Sequence, residues 1–404
     1  MFNNKRIGVF EYDWLLYSFI KDFVIKLAEA GYSIDIFFKD WDIRPDFAQT
    51  SEFNLYENIR FIDFTTKVTV HQRIRRKFKK WLSKLAIILS IELKDKPEDI
   101  IDRAILNKSK EIIGESQYLC FIGIEKKGLI WAGLLSEVFK CPLIYYSLEL
   151  YFEYDRFYHT RDAEKKYHRL SSATIVQDSY RGETLLKSNG VKNTNVIFFP
   201  VSVRGSLVQE KSRYLQTKFN ISDDKKILLY FGQINKSRFA TQIVKMAKDL
   251  EDDVILVLHG WGTKKYMDYL QSIADKKKVL FSLDFVPEDE IQNIISSAHI
   301  GISLYETTNA NDRLTAFSSS KMAFYAKCGV PFLAFDTESY RKLVSSCSWG
   351  ELINTVGEIP QKVQKILEHY GLYRQQAFLA YQCFYNLDEN FSRFIQQFDK
   401  MLVG

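Results

Sequence analysis

Short apolar runs alternate with helical runs along this chain, and the alternation limits the folds that it can adopt. The run "RIGVFEY" at 6–12 has the apolar content of a buried strand, and an amphipathic helical pattern that ends near Gly31 follows it. A second strand-like run, "SIDIFF", comes next at 33–38. The order strand, helix, strand favours a parallel sheet with right-handed crossovers, so the sequence predicts an α/β protein.

This alternation occurs in two series with a polar segment between them. Residues 201–224 are polar and irregular, and we interpret them as a linker. A chain of 404 residues is too long for one small core and suits two domains of ordinary size. We therefore predict an N-terminal Rossmann-like domain at 1–204, a C-terminal Rossmann-like domain at 205–385, and a last helix at 386–404 that packs back toward the N-terminal domain.

Composition argues against several classes of protein. A net charge of +6 is too small to indicate nucleic-acid binding, so we expect no nucleic-acid partner. The six histidines lack an HExxH pair and the five cysteines lack a CxxC pair, so we expect no metal and no cofactor. The first residues pass straight into a strand-like run and no apolar stretch is long enough to span a bilayer. We expect a cytoplasmic protein with reduced cysteines and no cleavable signal.

Four turns in the second half follow predicted strands and are rich in glycine or polar residues. Ligands of open parallel sheets bind outside the carboxyl ends of the strands, so these turns are candidate binding elements. They are "YFGQINKSRF" with Gly232, Lys236 and Arg238, "LHGWG" with Gly260 and Trp261, "LYETTNAND" with Glu306, and "FSSSKM" with Ser319, Ser320 and Lys321.

The turn "FSSSKM" opens a predicted helix and has the residue types of an anion site. Backbone N–H groups and the dipole at a helix start favour an anion. Ser319 and Ser320 add hydroxyl donors, and Lys321 adds a positive charge. Each feature has a simpler alternative, since serine often caps a helix, glycine often serves a tight turn, and Arg238 alone is a surface charge. Their occurrence at one edge of one sheet favours a diphosphate, held without a metal.

The same turns carry a resemblance to a known family. The segments "LLYFGQINKSRFATQIVKMA", "VILVLHGWG", "IGISLY" and "SSSKMAFYAKCGVPFLAF" resemble the nucleotide-sugar-binding domain of GT-B glycosyltransferases, particularly the family 4 (group 1) type. The segment "SATIVQDSYRGETLLKSNGVKNTNVIFFPVSV" is similar to the end of their N-terminal domain. The resemblance implies an α/β GT-B fold, in which two Rossmann-like domains face each other across a cleft. It also implies an acceptor-binding first domain and a second domain that binds a nucleotide sugar.

The resemblance assigns roles in donor binding and also shows one departure. It places Arg238 and Lys236 at the donor phosphates, with the helix start of Ser319, Ser320 and Lys321 facing the pyrophosphate. Family members usually carry a glutamate in this helix that holds the donor ribose, but Phe324 stands at that position here. The glutamate eight residues earlier is replaced by Ala316. Glu306 is then the candidate for ribose recognition, and a non-catalytic member stays open as an alternative.

Acidic residues at strand ends of the first domain are candidates for the acceptor side. Glu149 ends the apolar run "CPLIYYSLEL", and Asp13 follows the first predicted strand in "FEYDW". A carboxylate there would deprotonate an acceptor hydroxyl or orient the sugar. Each is alternatively a solvated loop acid, and Asp13 is alternatively a helix cap. We favour Glu149 because its strand is apolar enough to be central.

The segment at 67–89 stands apart because it is basic and amphipathic. Eight Lys or Arg and no Asp or Glu lie between Lys67 and Lys84. A basic helix with an embedded tryptophan suits an anionic membrane surface. A helix packed on its own domain with a solvated basic side, and RNA binding, are the alternatives. The predicted membrane contacts are Arg73, Arg76, Lys77, Lys80 and Trp81.

Together these features predict a glycosyltransferase that moves a sugar from a nucleotide diphosphate sugar to a glycan or lipid-linked acceptor. Cell-surface polysaccharide or glycolipid biosynthesis is the expected setting, with the protein on the inner face of the membrane. A non-catalytic scaffold of the same fold, which binds a glycan or a partner enzyme at the membrane, is the alternative.

Overall fold

A computed structural model describes most of the chain as two compact units. The first unit comprises Met1–Phe199 together with Phe391–Gly404, and the second comprises Pro200–Asn390. The described residues are 5–12, 18–39, 47–65, 97–150, 158–192, 194–287 and 290–403. Asp13 and the basic segment at 67–89 therefore lie outside the described residues.

The first unit is built on one parallel sheet. Within the described residues its strand order is β3-β2-β1-β4-β5-β6-β7, so the order reverses between β1 and β4. Strands β1 and β4 are the adjacent pair from which successive connections run in opposite directions, which makes their carboxyl ends the expected ligand crevice. The strands are β1 (Arg6–Tyr12), β2 (Ser33–Lys39), β3 (Ile59–Asp63), β4 (Cys120–Ile124), β5 (Leu143–Tyr146), β6 (Ala173–Val176) and β7 (Asn195–Phe198).

Helices cover this sheet, which explains why its central strands are apolar on both faces. Every residue of β4 and β5 is buried. Trp131 of the helix Glu125–Phe139 is fully buried, and its ring centroid lies 5.5 Å from that of Phe10. The described helices of this part are Ser18–Glu29, Phe47–Leu55 (3₁₀), Pro97–Ile100, Arg103–Ile113, Glu125–Phe139, Tyr158–Leu170 and Ser179–Asn189.

The C-terminal helix, Leu387–Val403, contributes its last part to the first unit. Its Phe394 ring lies 5.1 Å from Phe23 and 5.3 Å from Phe199, centroid to centroid. Tyr32 also donates a hydrogen bond to Asp399. Aromatic packing therefore joins the chain end to the first helix and to the end of β7.

The second unit is a second parallel sheet with helices. Its strand order in the described residues is β10-β9-β8-β11-β12-β13, which reverses between β8 and β11. In the sequence, β8 precedes the turn that contains Arg238, and β11 precedes the turn that contains Glu306. The strands are β8 (Lys226–Gln233), β9 (Val254–Trp261), β10 (Val279–Ser282), β11 (Ile300–Ser303), β12 (Phe332–Phe335) and β13 (Gly350–Ile353).

Helices on both sides of this sheet bury two apolar clusters against it. One cluster centres on Tyr325 and Trp349, and the other on Leu256 and Ile302. The described helices are Tyr214–Phe219, Lys236–Arg238 (3₁₀), Ala240–Met246, Ala247–Asp249 (3₁₀), Lys264–Ile273, Ile291–Ser296, Ala310–Arg313, Ser320–Lys327, Glu338–Ser346, Val356–Glu358 (3₁₀), Ile359–Glu368, Tyr370–Ala380 and Tyr381–Tyr385 (π).

Candidate functional site

Two glycines lie side by side at the carboxyl ends of β8 and β9. Gly232 is opposite Gly260 in the register of the two strands. Their φ angles are +108° and +146°, which L-residues with side chains rarely adopt. A Cβ on Gly260 would lie 1.8 Å from the carbonyl oxygen of Gly232. Glycine is therefore required at Gly260, and the sheet edge presents bare backbone there.

The turn after β8 fixes the position of Arg238. The side chain of Asn235 accepts a hydrogen bond from the Arg238 N–H at 3.0 Å and so caps the short 3₁₀ helix. The Arg238 Cζ lies 4.3 Å from the Tyr305 ring centroid, and its Nη1 lies 2.7 Å from Asp312 Oδ1. The guanidinium is thus held by an aromatic face and a carboxylate, while Lys236 in the same turn is exposed.

Lys321 lies near the same tyrosine ring. It stands in the first turn of the helix Ser320–Lys327, and its Nζ is 5.0 Å from the Tyr305 ring centroid and 5.6 Å from that of Tyr230. In the described part of the chain no carboxylate lies within ion-pair distance of this ammonium. Burial, followed by the charge of Arg238, lowers the pKa of Lys321 to about 7. Two cations around one aromatic ring favour an anionic ligand.

The three serines at the start of this helix have different surroundings. Ser319 is buried, and its Oγ is 2.8 Å from the Tyr305 hydroxyl. Ser318 donates from its Oγ to the Leu314 carbonyl at 3.3 Å. Only Ser320 is exposed among the three. The N–H groups of the first helical residues have no partner within a helix, so Ser320 and Lys321 present donors at this edge.

Trp261 and Glu306 lie at the same carboxyl edge but outside this cluster of contacts. Trp261 ends β9 and is 66% exposed, which makes it a surface for stacking. Glu306 follows Tyr305 after β11 and is partly exposed. Among the described residues it forms no hydrogen bond or ion pair with Arg238 or Lys321. The structure thus brings Arg238, Ser319 and Lys321 together around Tyr305, and leaves Glu306 beside them.

Three residues of this cluster were absent from the sequence-based candidates. Tyr305 and Tyr230 supply the rings that receive the two cations, and Asp312 pairs with Arg238. A tyrosine directly after an apolar strand, as in "ISLY", was the available signal for Tyr305. Asp312 in "NAND" had no signal of its own, because its role depends on the folding of the loop.

The positions at which relatives carry glutamates are apolar in structure as well as in sequence. Phe324 packs against the cluster of Tyr325 and Trp349 and is partly buried. Ala316 is fully buried, and its carbonyl accepts a hydrogen bond from the Tyr385 hydroxyl at 2.7 Å. Neither position offers a carboxylate to a ribose.

On the first sheet, Glu149 lies in the turn after β5. This strand pairs with β4 and β6, so it is an interior strand of the sheet. Glu149 is partly exposed, and its backbone N–H donates to Glu125 Oε1 at 2.9 Å. Its role at the acceptor stays a prediction, as does that of Asp13, which lies outside the described residues.

The predicted membrane contacts also lie outside the described residues, so the membrane surface stays a prediction. Over the part of the chain that the structure describes, no helix is both long and apolar enough to cross a bilayer. Within the same residues, no group of His, Cys, Asp or Glu has the arrangement of a metal site.

Solved structures share this architecture over the whole chain. Sucrose-phosphate synthase from Thermosynechococcus elongatus superposes with a TM-score of 0.71 at 13% identity, over 99% of this chain and 100% of that chain. Anabaena HepE in complex with UDP gives 0.68 at 12% identity, over 98% and 100%. The chain has the GT-B fold. WaaG, a glycosyltransferase involved in lipopolysaccharide biosynthesis, gives 0.60 at 12% identity, over 99% and 100%.

The GT-B fold confirms the fold class that the sequence predicted. The sequence matches no protein-family model and no curated protein. At this level of identity the similarity lies in the order and packing of the strands and helices. The function must therefore be argued from the site residues of this chain.

Proposed function

We propose that this protein is a glycosyltransferase that transfers a sugar from a nucleotide diphosphate sugar to a glycan or lipid-linked acceptor. The observation that carries the proposal is the cation pair around Tyr305, at the point where the strand order of the second sheet reverses. An open parallel sheet binds ligands at this point. Arg238, Lys321 and the helix start beside them suit a diphosphate.

The cation pair would act on the leaving group of the transfer. When the bond between the sugar and the diphosphate breaks, negative charge develops on the diphosphate oxygen that departs. Lys321 and Arg238, with the N–H groups of the helix start, would stabilise that charge without reorganising, because the turn after β8 and the helix already hold them. The bare backbone at Gly232 and Gly260 would allow the ligand to approach the sheet closely.

The structural neighbours support the same class of donor. Anabaena HepE was solved with UDP, and also with UDP-glucose. WaaG is described as acting in lipopolysaccharide biosynthesis. We infer by analogy that the donor here is a nucleoside diphosphate sugar and that the product is a surface polysaccharide or a glycolipid.

Recognition of the nucleoside must differ from that of relatives that use a helix glutamate. Phe324 and Ala316 leave Glu306 as the acid at this edge for the ribose hydroxyls, and Trp261 as a ring for stacking. A shift of the carboxylate from the helix to the loop after β11 would explain how a chain with Phe324 retains donor binding.

Calorimetry with UDP, GDP and ADP tests the donor site directly. We expect one of the three to bind with a Kd below 1 mM, roughly −4 kcal/mol or tighter. Lys245 is exposed on the helix Ala240–Met246, so Lys245→Ala is a matched control that removes a cation outside the site. If Arg238→Ala and Lys245→Ala bind the nucleotide equally well, the diphosphate does not bind at this location.

Hydrolysis of a panel of nucleotide sugars separates the enzyme from the alternative. A glycosyltransferase should release nucleoside diphosphate slowly in the absence of acceptor and faster with it. A non-catalytic scaffold of the same fold, which the apolar Phe324 and Ala316 favour, would bind a glycan and release none.

We further propose that the protein works in the cytoplasm at the inner face of the membrane. The basic segment at 67–89 supports this, since each Lys or Arg near an anionic surface contributes about 1 kcal/mol. Vesicles with anionic lipid should co-sediment with the protein at low salt and release it at high salt. Replacing Arg73, Arg76, Lys77 and Lys80 by Ser should abolish sedimentation while nucleotide binding is kept. A wild-type protein that stays in the supernatant at low salt would refute the membrane location.

A further inference from the structure

The buried side chain of Glu125, at the end of β4, holds the turn after β5 by hydrogen bonds. Glu125 follows β4 directly, and it is 2% exposed. Its Oε1 accepts the backbone N–H of Leu148 at 2.6 Å and that of Glu149 at 2.9 Å. Since β4 and β5 are paired strands, the carboxylate bridges their carboxyl ends.

The same turn is held on its other side by residues that follow β6. Gln177 donates from Nε2 to the Ser147 carbonyl at 2.8 Å, and Arg181 donates to the Leu148 carbonyl. Both side chains are 1% exposed. Buried donors on one side and a buried acceptor on the other thus fix the backbone of residues 147–149.

The backbone of Glu125 is strained and cannot relax. Its φ is +58°, in the left-handed region that non-glycine residues rarely occupy. A Cβ on Gly123 would lie 2.4 Å from Leu129 Cα, and a Cβ on Gly128 would lie 2.3 Å from the Phe10 carbonyl oxygen. Because these two residues are glycines, the helix start can lie in close contact with the sheet. Strain of this kind persists where the surrounding structure imposes it, most often at functional sites.

The charges around Glu125 favour its neutral form at pH 7. Burial raises the pKa of Glu125 to about 8, and the carboxylate of Glu149 adds to the shift. Glu164 also contributes, although Arg161 pairs with it at 2.8 Å and Lys126 at 3.7 Å. The second oxygen, Oε2, is buried and has no hydrogen-bond partner among the residues that the structure describes.

The charged groups that shift the pKa of Glu125 are Glu149 and Glu164, and other titratable groups also lie near this helix start. Glu11 of β1 is buried beside Ile124 in the strand register. The Nζ of Lys127 lies 5.2 Å from the Tyr12 ring, and burial lowers the pKa of Lys127 to about 7. Tyr145 and Tyr146 of β5 have raised pKa values because they are buried, so they stay neutral.

We propose that Glu125 is a positioning residue, which fixes the turn Ser147–Glu149 and so presents Glu149 to the acceptor. The inference rests on the proposed function, because it assigns Glu149 to the acceptor side of a glycosyl transfer. A neutral carboxyl accepts the two N–H bonds through its carbonyl oxygen. An ionised Glu125 would keep these two N–H bonds, but its charge would repel the Glu149 carboxylate and displace it from the acceptor.

Hydrogen exchange of the amides of Leu148 and Glu149 tests the clamp without any substrate. Glu125→Ala removes the acceptor, so we expect exchange to speed up at least tenfold. Glu125→Gln keeps a carbonyl oxygen in place of Oε1, so its exchange should match the wild type. Glu137→Gln is the matched control, since Glu137 lies on the same helix and pairs with Lys166 at the surface. Unchanged exchange in Glu125→Ala overturns the proposal.

Turnover of UDP-glucose, or of whichever nucleotide sugar the panel selects, tests the consequence. Glu125→Ala should lower kcat by 30-fold or more, while the Kd for the nucleoside diphosphate stays within twofold. Because Glu125 would ionise above its pKa of about 8, we expect the activity of the wild type to fall above pH 8. Glu125→Gln should keep kcat within threefold at pH 7 and should lack this fall. A wild-type alkaline fall retained in Glu125→Gln, or an active Glu125→Ala, contradicts the proposal.

These two measurements fail separately from the proposed function. If the wild type turns over no nucleotide sugar, the enzyme proposal fails, and with it the part of this inference that concerns the acceptor. The exchange result then still decides whether Glu125 clamps the turn. If exchange changes as expected and kcat does not, the clamp exists but Glu125 does not position Glu149 for the reaction, and the proposal is wrong.

Discussion

The two sheets of this protein have the same parallel architecture but differ in the ionisable side chains at their carboxyl edges. At the strand reversal of the second sheet, Arg238 and Lys321 lie around Tyr305. At that of the first sheet, Glu11 and Glu125 are buried carboxylates at the ends of β1 and β4. One fold therefore supplies a cationic edge that suits a diphosphate and an acidic edge that suits hydroxyl groups.

Burial shifts the pKa values at the two edges in opposite directions, and both shifts favour the neutral form of the side chain. It lowers the pKa of Lys321 to about 7 and raises that of Glu125 to about 8. A large fraction of each group is therefore neutral at physiological pH, because desolvation disfavours either charge. A ligand of opposite charge would therefore change the pKa of Lys321 strongly. Neutral hydroxyl groups would change the pKa of Glu125 little.

The largest effect is expected on turnover, and it would show that the two edges have different functions. Glu149→Gln removes a carboxylate from the acidic edge and should lower turnover by about 100-fold or more, as expected for a lost general base. Nucleotide affinity should stay within twofold, because the cationic edge is intact. Steady-state kinetics together with calorimetry measure both. Full activity of the variant would move the acceptor role to another residue, with Asp13 as the next candidate.

The second effect concerns affinity rather than turnover. Arg238→Ala and Lys321→Ala should each weaken binding of the nucleoside diphosphate by about 2 kcal/mol, roughly 30-fold, since each removes a charge-assisted hydrogen bond. Calorimetry at one pH and one salt concentration measures the change. Lys245→Ala should bind like the wild type. The cationic edge is not the donor site if both site variants also bind like the wild type.

The third effect is the pH dependence of this binding. The free Lys321 loses its proton around pH 7, and a bound diphosphate would restore it by raising the pKa. Binding above pH 7 must then take up a proton, so affinity should fall as pH rises, approaching tenfold for each unit above the free pKa. Calorimetry at pH 8 in buffers of different ionisation enthalpy measures the uptake. Lys321→Arg stays charged and should show no such uptake.

The sequence predicted two α/β domains with parallel sheets because both series of strands and helices leave a strong local pattern, and the family resemblance implied the GT-B fold. Apolar strands such as "VILVLHGW" and "CFIGI" are buried as expected of a parallel sheet. The sequence also indicated the cationic residues of the second edge, since Arg238 lies in the turn after a strand and Lys321 lies in a serine-rich helix start. Local pattern and strand position were sufficient for these features.

The rest of the site depends on contacts between distant parts of the chain. Tyr305 and Lys321 come close only when β11 and the helix Ser320–Lys327 have packed together. Glu125 was missed because a glutamate after an apolar strand looks like a helix start. Its role depends on the backbone of Leu148, more than twenty residues away. Sequence periodicity does not encode such cross-strand contacts, and neither does it encode the strain at Glu125.

The smallest expected effect concerns the part of the cationic edge where relatives use a different residue. With Phe324 in the hydrophobic cluster, Glu306 is the acid left at the end of β11 to accept hydrogen bonds from the ribose. A partly exposed carboxylate of this kind contributes about 1 kcal/mol to binding. Glu306→Gln should weaken nucleoside diphosphate binding about fivefold and leave binding of inorganic pyrophosphate unchanged, because pyrophosphate has no ribose. Calorimetry with both ligands gives the comparison. Tighter binding of both ligands would show that Glu306 acts through the charge of the edge, whereas no change for either would leave the ribose to another group.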